Sequence, residues 1–137
     1  MRPRDEALGR SVAGIVVKDG KFLVARRLPG GAMSEKWEFP GGKVEIGETD
    51  QEALQREFAE EFSVGVRVGA AVANARFEHG GRSFELGAFQ VFLNSEAFVL
   101  TEHTEWRWVR FDEIAALDFA DSDRKLLSQL GERFRLP

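Results

Sequence analysis

Glu57, Glu60 and Glu61 stand at i, i+3 and i+4 of a stretch that should be helical, so at roughly 3.6 residues per turn three carboxylates project from one face. Like charges at that spacing repel by about 0.2–0.5 kcal/mol per pair on an exposed helix, and a divalent cation among them would reverse the sign. Upstream, Pro40-Gly41-Gly42 ends a short apolar piece from Trp37 to Phe39, and a glycine pair permits close backbone approach. Zero cysteines remove thiolate ligands, so a metal here would be held by oxygen or by His79 and His103, which suits magnesium or manganese. Charge alone fits a solvated acidic face equally well. Residues 35–61 hold nine acids against three bases, a local −6 within a net charge of −4, which leaves the remaining residues at +2. That balance does not make the basic stripe a nucleic-acid backbone requires, so no nucleic-acid partner is expected.

The carboxylates need a helix to hold them. Thr49 followed three residues later by Glu52 is a capping-box signature, and the helix is expected to run to about Phe62. Leu54, Phe58 and Phe62 recur every four residues as its core stripe. With Glu57 at zero and roughly 100° per residue, the stripe lies near 60°, 100° and 140°, Glu61 near 40° and Glu60 near 300°. The acids flank the buried stripe, whereas a purely solubilising set would point away from it.

Around this helix the chain reads as strands. SVAGIVVK and KFLVARR, separated by Asp19-Gly20, predict a β-hairpin within residues 11–27. LPGGAMSEK is a loop by its proline and glycines. Val66–Glu78 and Arg82–Leu93, joined at His79-Gly80-Gly81, predict a second hairpin, and EWRWVRF from Glu105 alternates as a half-buried strand. Asp112–Leu117 reads as a helical turn. Leu126, Leu127, Leu130 and Phe134 predict a last helix with Asp121 or Ser122 as its cap, while His79 and His103 read as loop residues. The order of elements predicts an α/β (α+β) sandwich with a mixed sheet, in one domain over 1–137 with residues 1–9 as a flexible tail. No apolar run is long enough to cross a bilayer, and MRPRDEALGR lacks the hydrophobic region of a secretory signal, so a cytoplasmic protein without a membrane partner is expected.

By its glycine pair, its acidic helix and their spacing, Gly42–Val64 (GKVEIGETDQEALQREFAEEFSV) resembles the Nudix box, G-x5-E-x7-R-E-U-x-E-E-x-G-U with U apolar. Gly42 opens it, Glu48 follows, then Arg56-Glu57, Phe58, Glu60-Glu61 and Val64. Ser63 departs, standing where the pattern has glycine. A residue there would need positive φ, costing a non-glycine residue about 1 kcal/mol, or Gly65 takes over the cap. Trp37-Glu38-Phe39-Pro40-Gly41-Gly42-Lys43 is similar to the approach strand of the MutT and CTP-pyrophosphohydrolase branches. The resemblance extends over roughly residues 11–130. It implies a Nudix-type α/β/α sandwich that hydrolyses a nucleoside diphosphate linked to another group with Mg2+ or Mn2+.

The resemblance also implies roles. Glu57, Glu60 and Glu61 would be metal ligands, with a carbonyl of Gly41 or Gly42 adding an oxygen. Arg56 would pair with Glu48 to hold the loop against the helix, unless it is a plain surface charge. Glu105 resembles the late glutamate before a tryptophan in MutT-type enzymes, a metal ligand or general base, with Glu102 a nearby competitor. Arg27, second of an arginine pair, matches a phosphate-contacting position, which suits the guanidinium fork. Asp121 in FADSD aligns with the base-reading position or serves as the helix cap. An ionised carboxylate there accepts from guanine N1/N2 or cytosine N4. Phe39, Phe84 and Arg82 complete the candidate substrate contacts.

The substrate cues are negative. Branches that cut diadenosine polyphosphates often carry a downstream tyrosine, and this chain has none; ADP-ribose cleavers often carry a downstream proline, and the only one after Pro40 is Pro137. Both favour a nucleoside triphosphate, cleaved to monophosphate and pyrophosphate, with oxidised or noncanonical nucleotides as candidates. The alternatives are a nucleotide-sugar hydrolase and a binding module without turnover. As a small-molecule enzyme the chain is expected to act as a monomer or homodimer.

Overall fold

The computed structural model describes residues 8–31 and 33–134. Among the described residues eight strands and four helices follow in the order β1 (Leu8–Ile15), β2 (Val17–Lys18), β3 (Lys21–Arg27), β4 (Trp37–Glu38), β5 (Gly41–Lys43), α1 (Asp50–Phe62), β6 (Val66–His79), β7 (Arg82–Leu93), β8 (His103–Arg110), α2 (Phe111–Ile114), α3 (Asp121–Arg124) and α4 (Leu127–Phe134). Leu8 and Gly9, expected in a flexible tail, already pair with Ser83 and Phe84; the rest of that tail, residues 1–7, lies outside the described residues.

One sheet runs β5-β1-β7-β6. Its β1–β7 pair is parallel and its β1–β5 and β6–β7 pairs are antiparallel, so the sheet is mixed as expected. In the other sheet β3 pairs with β2, β4 and β8, all antiparallel. Asp19 and Gly20 sit at φ 53° and 76° between Lys18 and Lys21, the two positive φ values that a tight two-residue hairpin requires. The hairpin expected over residues 11–27 is shorter than that: only Val17 and Lys18 pair with β3, while Ser11–Ile15 is taken up between β5 and β7 in the other sheet. The second hairpin turns at Gly80-Gly81, with His79 opposite Arg82.

Both faces of the central strands are buried, which is why they read as continuous apolar runs. Ala13 and Ile15 of β1 with Phe22 and Val24 of β3 join the core completed by Phe39, Leu86, Ala88, Phe119, Leu126 and Leu130. Their neighbours Val12, Val16, Leu23 and Ala25 join the opposite core, where α1 lays down Leu54, Phe58 and Phe62. The strand period of two thus assigns alternate residues to two cores, and helices cover both sides.

At α1 the capping box forms as expected. The Glu52 N–H donates to Thr49 Oγ1 at 3.0 Å and the Thr49 N–H to Glu52 Oε1 at 2.9 Å. Ser63 itself takes the left-handed position, φ 61° and ψ 34°, so Gly65 does not take over the cap.

The C-terminal region differs from the expected single helix. The Lys125 N–H reaches Ser122 O at 3.2 Å and the Leu126 N–H reaches Asp123 O at 3.0 Å, i to i+3 bonds that tighten the chain and separate α3 from α4. Asp121 is not a cap: Ala120 precedes α3 and makes no side-chain cap bond. β8 also starts two residues early, at His103.

Candidate active site

Helix α1 carries its three acids unequally. Glu57 and Glu61 belong to the buried face beside Leu54, Phe58 and Phe62, while Glu60 is turned outward. Glu57 reaches into the fold because Gly42 has no side chain: a Cβ there would stand 2.5 Å from Glu57 Oε2. Burial first, and then the hydrogen bond and charge of Glu57 and the charge of Glu38, drive the Glu61 carboxyl far up from its ordinary range, with Arg27 opposing. Glu61 Oε1 is buried with no hydrogen-bond partner.

Arg56 clamps the loop onto this helix. Its Nε donates to Glu48 Oε2 at 2.6 Å and its Nη2 to Glu48 Oε1 at 3.0 Å, the two-point pairing expected from the sequence. Nη2 also reaches the Lys43 carbonyl at 2.9 Å, and Nη1 reaches Glu57 at 3.0 Å and Glu60 at 3.2 Å. The hydrogen bonds from Arg56 hold the Glu48 carboxyl below its usual range.

Next to Glu57, across Gly42, a cleft of about 120 Å³ is lined among others by Arg27, Glu38, Gly41, Gly42, Phe77 and Asp123. Glu38 is the node of its wall, lying 3.2 Å from Arg27 Nη1 and 2.9 Å from His103 Nε2. Burial works against the Arg27 charge, yet the Glu38 bond and the charges of Glu38, Glu61 and Glu102 hold its pKa above the ordinary value. Elsewhere in the cleft lining, Asp123 Oδ2 accepts the Phe39 N–H at 2.9 Å and Oδ1 accepts the Ser122 hydroxyl at 3.3 Å. Burial, joined by the charge of Glu38, pushes the Asp123 carboxyl up to about 7 against those two bonds.

Several expected site residues stand elsewhere. Glu105 lies across from Arg26 in the β3–β8 pairing, and its carboxylate faces Arg26 at 3.5 Å and Arg107 at 3.4 Å. The β3–β8 register shifts between Arg26 and Arg27, so Arg26 stands opposite Glu105 and Arg27 opposite His103. The competitor of Glu105, Glu102, is exposed and directly follows Thr101, which is bonded to the end of α1. Thr101 donates through Oγ1 to Glu60 O at 2.8 Å and through its N–H to Glu61 O at 3.3 Å, and the Glu102 charge is felt by Arg27.

Asp121 is exposed on a separate cavity, and Asp123, two residues on, lines the cleft. Phe84 is one layer behind the cleft, stacked on Phe77 at 5.2 Å and 12°, so Phe77 is the ring at the wall. The Arg82 guanidinium lies 5.4 Å over the Phe84 ring and is not among the cleft-lining residues. Phe39 does line the cleft, with its ring edge-on to Phe119 at 5.1 Å. Sequence reading missed Glu38, Phe77 and Asp123 and put His103 in a loop. His103 is buried in β8, and the one signal for Glu38 was a lone acid between the apolar Trp37 and Phe39.

Among the described residues no three carboxylate or imidazole side chains converge as a ready cage for a cation. The donors nonetheless fit a hard cation: all are oxygens, Glu57 and Glu61 are buried against each other, and one Glu61 oxygen is unpartnered. Glu57 and Glu60 are engaged by Arg56 in this state.

This site lies in a mixed α/β sandwich, and residues 8–130 match the family described as the NUDIX domain. The chain belongs to the NUDIX family of hydrolases. Among curated relatives it is 36% identical over 116 residues to the CTP pyrophosphohydrolase of Escherichia coli K12, covering 85% of this chain and 86% of the relative. It is 32% identical over 130 residues to the 8-oxo-dGTP diphosphatase of Haemophilus influenzae, covering 92% and 93%. The solved structure of the E. coli ORF135 protein superposes with a TM-score of 0.82 at 33% identity, over 91% of this chain and 89% of that one. A MutT protein from Methanosarcina mazei Go1, at 24% identity and TM-score 0.83, shares the fold. Among the described residues no helix is long and apolar enough to cross a membrane.

Proposed function

We propose that the chain is a metal-dependent pyrophosphohydrolase of nucleoside triphosphates, releasing a nucleoside monophosphate and pyrophosphate, with CTP-like and oxidised guanine nucleotides as the first substrates to try. The names of its relatives, a CTP pyrophosphohydrolase and an 8-oxo-dGTP diphosphatase, support this range. The observation that carries it is the buried, partly unpartnered carboxylate pair Glu57 and Glu61, with Glu57 packed under Gly42, a glycine of the cleft whose lining also includes Arg27 and the buried Asp123.

Glu57, Glu60 and Glu61 would hold Mg2+ or Mn2+, joined by a carbonyl of Gly41 or Gly42 and by Glu102 in place of Glu105. When bound, the metal supplies neutralisation of phosphate charge and polarisation of the phosphoryl oxygens. Arg27 pairs with phosphate oxygens, held to its post by Glu38. Phe39 and Phe77 flank the base, and Asp123 reads its edge. A water oxygen bonds to phosphorus, the bridging P–O bond breaks, and a carboxylate of the α1 cluster takes the water's proton. Arg56 and Glu48 position the helix and touch no reacting atom.

The test is pyrophosphate release over canonical and oxidised nucleoside triphosphates with Mg2+, with Mn2+ and with chelator. Metal-dependent release supports the reading; no turnover on any nucleotide, together with no metal uptake, removes it. Glu60→Gln is expected to lower kcat/KM by about 100-fold or more, since even partners one shell beyond a metal cost 10–100-fold.

A further inference from the structure

Beyond the cleft lies a second cavity of about 440 Å³, walled by Lys36, Glu78, His79, Asp121 and Lys125 and sharing Phe77 and Ser122 with the cleft. Arg27, Gly41 and Gly42 line only the smaller cavity. The sequence of sites along the molecule is therefore phosphate end, base end, then chamber. At about 120 Å³ the cleft alone falls short of the roughly 300–1,000 Å³ usual for ligand pockets, and the chamber makes up the difference.

We infer that this chamber is a substituent subsite, receiving a polar group carried on the exocyclic amine of the nucleobase, so that N-substituted nucleotides are substrates beside unmodified ones. The inference rests on the proposed reading of the cleft as the base site. An exocyclic amine offers two N–H groups, and a carboxylate such as Asp123 needs one of them. The second position is where a substituent departs, beside Asp123 Oδ1. That oxygen already faces the Ser122 hydroxyl at 3.3 Å, and Ser122 opens onto both cavities. A mono-substituted amine thus keeps the contact with Asp123 and sends its substituent into space already there.

The chamber wall says what kind of substituent. Lys36 is bonded to Asp118 at 3.0 Å and Lys125 to the Arg76 carbonyl at 3.2 Å, each with further N–H groups to offer. Glu78 and Asp121 add acceptors and His79 either role. Donors and acceptors of both signs favour a hydroxyl-bearing group over a hydrocarbon or a single-sign ion.

The test compares kcat/KM for dCTP and dGTP with their analogues hydroxyethylated on the exocyclic amine, with Mg2+ present. The wild-type protein is expected to turn over each analogue within about threefold of its parent. His79→Trp, which fills the chamber from a wall remote from Asp123, is expected to lower the analogues by about tenfold or more and the parents by less than about twofold, in line with the value of one lost or clashing group in a pocket. Lys125→Trp repeats the test from α3's side if His79→Trp fails to fold by thermal melting. Wild-type refusal of the analogues with turnover of the parents overturns the subsite, as does a variant that lowers parent and analogue in equal proportion. Failure on the parents as well marks the proposed activity itself as wrong, and the subsite falls with it.

Discussion

Because burial and the charge of Glu38 push Asp123 up to about 7, near neutrality it exchanges between a carboxylate that only accepts and an acid that also donates. The unfolded carboxyl titrates near 3.8, so between about 3.8 and about 7 the folded state binds the extra proton. Stability from this group is therefore full below the lower value and is lost as pH rises through the upper one. Asp123→Asn keeps an oxygen for the Phe39 N–H and removes the titration. Urea unfolding from pH 4 to 8 should show wild-type stability falling relative to the variant across that window, and a pH-independent difference would contradict it. Glu61 carries the same sign more strongly, and its proton must leave when a cation takes the site. Metal affinity is expected to rise with pH, with proton release seen calorimetrically in buffers of different ionisation enthalpy; uptake without release would count against Glu61 as ligand. The sequence offered Asp121 and Asp123 within FADSD. At roughly 100° per residue they differ by about 200°, so only the packing of α3 settles which faces the cleft.

Helix α1 is the element whose sequence signals were most local, and they held. Its capping box spans Thr49 to Glu52, and removing the hydroxyl with Thr49→Ala is expected to cost about 1 kcal/mol in denaturant unfolding with little change in kcat. Ser63 sits at φ 61°, so Ser63→Gly should stabilise by up to about 1 kcal/mol, offset slightly by the lost 3.4 Å bond to Val99 O. A destabilised Ser63→Gly would show that the bond outweighs the backbone strain. Strand β8 behaved differently. Its alternation was visible from Glu105 onward, but its start at His103 is set by pairing with Arg27 of β3, far away in sequence, and that same pairing sets Glu105 opposite Arg26.

At the scale of the whole molecule, the site is made where the two sheets and α1 converge: β3 supplies Arg27, β4 and β5 supply Glu38, Gly41 and Gly42, and α3 supplies Asp123. A cation that binds this assembled site and not the unfolded chain should raise Tm, by about 2.7 kcal/mol of stabilisation at a hundred times its Kd. Glu57→Gln should abolish the metal-dependent rise, and an undiminished rise would place the metal elsewhere. Legible in the residues alone were the family, the mixed sandwich, the two tight hairpin turns, the extent of α1 and the Arg56–Glu48 clamp, whereas the departure of residues 11–15 into the other sheet was not. These rest on short-range periodicity, capping and turn chemistry, or on a motif whose spacing is contiguous along the chain. Only the tertiary packing shows that Glu57 and Glu61 are buried while Glu60 is not, that Glu105 faces Arg26 and Arg107, and that Phe77 and Asp123 rather than Phe84 and Asp121 line the cleft. Each of those choices turns on which face of a strand or helical turn meets a partner remote in sequence, and a half-period shift in register reverses it.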